Sequence, residues 1–159
     1  MEPARYANDI SRLRQAGWTC SWLSEPLRHP QRVLARYPWL PQEYWDFVVG
    51  LEEVVSRDET RWILSPADFD IALDHAFTHD CWERISVDSA EGNHKLISAI
   101  TAFWDAHLPI YFDVSDGYAY HAIRVSDHSG VVVSGREPEF EDSAEIAFPS
   151  FSAFLAHLS

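Results

Sequence analysis

The sequence predicts a single α+β domain, with helices packed on a mostly antiparallel sheet. Three observations point there. Apolar residues recur at helical spacing through the first two thirds of the chain. From Pro109 onward the period shortens to two, and turn residues separate the runs. The length, 159 residues with 47% hydrophobic and 14% aromatic side chains, is enough for one core without a disulfide or metal.

Taken in order, residues 8–16 (NDISRLRQA) predict a helix capped by Asn8 or Asp9, with Ile10 and Leu13 on one face and Gly17 at its end. Residues 18–30 are aromatic but aperiodic, broken by Pro26 and Pro30, and read as a segment covering the core. Residues 38–55 predict the first core helix. Pro41 suits a first helical position, and Tyr44, Phe47, Val48, Leu51 and Val55 share a face. Gly50 costs about 1 kcal/mol of helix propensity relative to Ala, which marks it as a point of close packing. Residues 61–64 predict a short strand. Ser65-Pro66-Ala67-Asp68 is a helix start, leading into a stripe of Phe69, Ala72, Leu73 and Ala76. A further helix begins near Asn93, with Leu96, Ile97, Ile100, Phe103 and Trp104 toward the core.

The segments IYFDV, GYAYHAIRV and GVVVS predict a three-stranded meander, with turns at 115–117 and 127–130. Alternation puts Tyr118, Tyr120, Ala122 and Arg124 on one face of the middle strand, and Ala119, His121, Ile123 and Val125 on the other. Ile146, Ala147 and Phe148 predict a short strand. Ser150 then caps a closing helix with Phe151, Phe154, Leu155 and Leu158 on one stripe.

Charge narrows the function classes. The formal net charge is −13, but residues 1–36 hold six arginines against three acidic residues, a net of +3, which leaves −16 on the remainder. Such a body repels phosphate backbones, which argues against nucleic acid as a partner, and it attracts basic proteins. No run approaches the roughly 20 apolar residues that span a bilayer. The N-terminal residues lack the apolar core of a signal peptide. Cys20 and Cys81 fit a reducing compartment as small buried hydrophobes, so a cytoplasmic location is expected.

Candidate chemistry is sparse. His75, His79 and Cys81 in HAFTHDC resemble a zinc ligand set, but no fourth ligand is evident and the HExxH pattern is absent. His121, Asp113 and Ser115 do not sit in a nucleophile elbow. Asp113 and Asp116 suit a β-turn better than an acid–base pair. The expectation is therefore a protein that is not an enzyme and carries no cofactor or metal.

Partner-binding candidates are clearer. Glu137, Glu139, Glu141, Asp142 and Glu145 flank Phe140, which is either an interface anchor or a core residue beneath a solvated loop. Glu52, Glu53, Asp58 and Glu59 form a second acidic cluster. Trp45 falls off the stripe of its helix, either covered by the N-terminal segment or exposed to a partner. Asp116, Tyr118 and Tyr120 complete the candidate set.

The order of motifs resembles the SUKH superfamily, the Smi/Knr-type domain. The residues that carry the resemblance are Leu40-Pro41-Gln42-Glu43-Tyr44-Trp45-Asp46-Phe47, Trp62-Ile63-Leu64 with Asp68-Phe69, and Pro109-Ile110-Tyr111-Phe112. They continue through Asp116-Gly117-Tyr118-Ala119-Tyr120, Gly130-Val131-Val132-Val133 and Ser150-Phe151-Ser152-Ala153-Phe154-Leu155. The resemblance covers residues 38–158. It departs after Gly50, where Leu51-Glu52-Glu53 replaces a glycine-rich turn. It implies a SUKH-like domain over 38–159, preceded by an N-terminal helical extension over 1–37. The implied function is that of a bacterial immunity protein, which binds a cognate toxin and occludes its active domain. The opposite charge of a basic, nuclease-like toxin would suit the acidic body. The alternative is a regulatory or scaffold domain of the same type with no toxin partner.

Overall fold

The computed structural model describes residues 1–26, 35–37, 39–70 and 76–159. Among them are five α-helices and one seven-stranded sheet in an α+β arrangement. The helices are α1 (Ala7–Gln15), α2 (Gln42–Val48), α3 (Cys81–Ser89), α4 (His94–Ala106) and α5 (Phe151–Leu158). The strands are β1 (Thr19–Trp22), β2 (Leu51–Val55), β3 (Arg61–Ile63), β4 (His107–Asp113), β5 (Ala119–Arg124), β6 (Val132–Arg136) and β7 (Glu145–Phe148). Spatial order equals chain order, and every neighbouring pair is antiparallel.

Side-chain alternation explains why both faces of the sheet need cover. On one face, Phe112 and Tyr120 meet Trp82 of α3 and Trp104 of α4 at centroid separations of 4.9 Å each. On the other, Tyr111 and His121 meet Phe154 of α5 at 5.3 and 4.9 Å. Helix α2 joins α5 there, because Tyr44 and Phe47 both pack on Phe151. Tyr6, in the 3-10 turn before α1, packs on Phe47. Residues 36 and 37 reach the first face. The Arg36 guanidinium binds Glu83 and Asp105, and the Tyr37 hydroxyl donates to the Trp104 carbonyl at 3.0 Å.

Several expectations are met at the level of caps and stripes. Asn93 accepts from the Leu96 amide and Ser150 from the Ala153 amide, each starting its helix. Ser65 and Asp68 form the expected capping box, but the helix they begin is a 3-10 turn over Pro66–Phe69. Ala72 and Leu73 of the expected stripe lie outside the described residues, as do residues 27–30 of the covering segment.

Other expectations are corrected. The helix over 38–55 stops at Val48, and Leu51–Val55 is a strand. Gly50 takes φ of +75°, a conformation a side chain strains, and this turns the chain out of the helix. Residues 19–22, expected to cover the core, instead pair with β2 as the first strand. The sheet therefore continues across residue 37, with β1 before it and β2 after it. Asn8 and Asp9 are not caps, because the 3-10 turn Ala4–Tyr6 leads into α1 and places both inside the helix. Among the described residues no helix is long and apolar enough to cross a membrane.

Candidate partner-binding surface

The loop between β6 and β7 rests on a buried base. Phe140 is 1% exposed and stacks on Trp82, with centroids 5.4 Å apart and planes 10° from parallel. Its carbonyl accepts from the Tyr120 hydroxyl at 2.5 Å. Gly135 makes that approach possible: a Cβ there would lie 2.5 Å from the Tyr120 oxygen and 2.7 Å from the Phe140 carbonyl. Burial desolvates the Tyr120 phenol, and its pKa rises for that reason. Phe140 is therefore a core residue, and the anchor role open to it in the sequence belongs to no exposed ring.

Two carboxylates of the loop are committed to the fold. Glu141 accepts from the Trp104 indole N–H at 2.9 Å and from the Ser86 hydroxyl at 3.1 Å, which ties the loop to α3 and α4. Glu137 accepts from the Tyr118 amide at 3.0 Å. Glu139, Asp142 and Glu145 are exposed. Beside them Ile146, on the last strand of the sheet, is 62% exposed. The surface is thus three exposed carboxylates, without a side-chain partner among the described residues, and one apolar side chain on a ledge tied to α3 and α4.

The other candidates distribute differently. Trp45 is 4% exposed and packs against Phe69 and Tyr44, so it is buried and not presented to a partner. Tyr120 is buried, and Tyr118 is half-buried, stacked on Trp82 at 4.6 Å. Asp116 is exposed, with one oxygen 3.9 Å from Arg136. Glu52 and Glu53 are exposed on β2, and Glu59 lies in the β2–β3 turn with φ of +60°. Asp58 accepts from the Ser56 hydroxyl and from the Thr60 amide and hydroxyl. These hydrogen bonds favour its charged form and lower its pKa to about 2.

The catalytic alternatives find little geometric support. The Ser115 hydroxyl and amide both donate to Asp113 in a local turn, so Ser115 is not activated by His121. His79 is buried against Phe69, Cys81 is buried with its thiol pushed up to about 12, and His75 lies outside the described residues. Among the described residues no three His, Cys, Asp or Glu side chains form a group that could hold a metal. Cys20 is also a free buried thiol, as expected, and burial raises it to about 11.

Sequence reasoning missed one concave feature. A cleft of about 270 Å³ lies between β3–β5 and α5, lined among others by Trp18, Arg61, Tyr111, Asp113, His121 and His157. Strand alternation puts His121 opposite Tyr120, but nothing in the sequence brings Arg61 and His157 to it. In comparisons with family models, curated proteins and solved structures, the chain matches none of them.

Proposed function

We propose that this chain is an immunity protein of SUKH type, which binds a cognate bacterial toxin in the cytoplasm and covers its active domain without catalysing a reaction. The observation that carries the reading is the 137–145 ledge, where buried Phe140 and tethered Glu141 hold Glu139, Asp142 and Glu145 toward solvent. A loop already tied to the core loses less backbone entropy on docking, and the acidic body speeds encounter with a basic surface. The residue order that resembles the superfamily adds support.

The test is co-expression with the toxin encoded by the adjacent gene. A stable complex at micromolar concentration is expected. The triple variant Glu139→Gln, Asp142→Asn, Glu145→Gln should slow association about tenfold at low salt and flatten its salt dependence. If chain and toxin elute separately, the immunity reading fails. Several weak partners together with no protection from the toxin would instead indicate a scaffold domain.

A further inference from the structure

We propose that the cleft between β3–β5 and α5 binds a small zwitterion, an α-amino acid with an aromatic side chain. This inference is independent of the immunity reading. It rests on polar groups that the fold brings to one cleft with hydrogen-bonding capacity left over among the described residues.

Arg61 and Asp113 face each other across β3 and β4. The Arg61 guanidinium lies over the Trp18 ring at 5.5 Å, and among the described residues it makes no ion pair. One Asp113 oxygen takes both Ser115 donors, while the other has no hydrogen bond among the described residues. The Tyr111 hydroxyl is likewise unpaired there, and the buried Nδ1 of His121 has no hydrogen-bond partner. Tyr111 and His121 are neighbours, with ring centroids 5.3 Å apart. Trp18, Tyr111 and Phe154 supply aromatic walls. His157 stands at the margin on Phe148, 5.0 Å between rings.

The ligand class follows from these groups. A guanidinium and a phenol O–H present donors to a carboxylate, and the planar guanidinium fork can take a carboxylate bidentately. The free Asp113 oxygen accepts from an ammonium. His121 is neutral near pH 7, because burial and the neighbouring His157 lower its pKa to about 4, so it adds a polar atom without adding charge. A simple anion would approach a chain of net charge −13 against repulsion, whereas a zwitterion would not. The cleft volume is at the small end for ligand sites and suits one amino acid.

Calorimetric titration with phenylalanine tests this directly. Saturable binding with Kd of about 1 mM or tighter is expected for a ligand of this size. N-acetylphenylalanine, which lacks the ammonium, and phenylalaninamide, which lacks the carboxylate, should each bind about tenfold or more weakly. Arg61→Gln and Asp113→Asn should each weaken phenylalanine to a similar degree. The blocked analogues are titrated into unaltered protein, so the test stands even where a variant fails to fold. No saturable binding below about 10 mM, or blocked analogues that match phenylalanine, overturns the proposal.

Discussion

In the 137–145 loop the charged groups ride on a buried base, whereas in the β2–β3 turn they hold one another. Phe140 and Glu141 reach α3 and α4, so the loop is tied to the aromatic face of the sheet. Asp58, Ser56 and Thr60 close a turn from within, and Asp58 remains fully exposed. Similar acidity thus has two structural origins. One depends on long-range packing and suits a docking surface; the other is local and suits a solvated turn.

The largest effect should come from Phe140→Ala. It removes a ring stacked on Trp82 and should cost about 3–5 kcal/mol, measured by urea unfolding. A cost under about 1 kcal/mol would mean that the loop is not anchored as described. Glu141→Ala should cost less, about 1–3 kcal/mol, because the Trp104 N–H loses its acceptor and the Ser86 hydroxyl a partner. Hydrogen exchange over residues 137–145 should rise in that variant and stay unchanged over 56–60. Equal change in both segments would erase the contrast.

The smallest effect concerns Asp58. Its folded pKa lies below the unfolded value of about 3.9, so its contribution to stability is present above that value and lost as pH falls through about 2. A carboxyl titration by NMR should place its midpoint near 2, and near 3.9 in denaturant. A folded midpoint at the unfolded value would mean that the turn is not closed by these hydrogen bonds.

What was legible in the sequence follows from how locally each element is determined. Helices α4 and α5 carry their caps and stripes within a dozen residues, and strands β4–β6 are β-prone runs bounded by turn residues, so all were visible. Strand β2 was not. Leu51 and Val55 are four apart and extend the helical stripe of Tyr44, Phe47 and Val48, so only the backbone of Gly50 decides between helix and strand. Strand β1 has too few residues to show a period, and α3 buries only Cys81 and Trp82 among the hydrophobic residues at its first turn. The candidate surface was legible as charge but not as architecture. Whether Phe140 faced inward depended on Gly135 and Tyr120, which lie apart from it in sequence and beside it in space.

The meander has a bearing on how the chain assembles. The pairs β2–β3, β4–β5, β5–β6 and β6–β7 close over short connections at low entropic cost, whereas β1–β2 and β3–β4 are joined across longer segments that carry helices. The covering layer works the other way. Helix α5 is the last element in the chain, yet it packs on α2 near the start, and the Ser152 hydroxyl donates to Glu43 across 109 positions. During synthesis the sheet can be laid down strand by strand, while Tyr44 and Phe47 wait for Phe151 to emerge. The cover over the sheet is thus closed by contacts that span most of the chain, unlike the short hairpins beneath it.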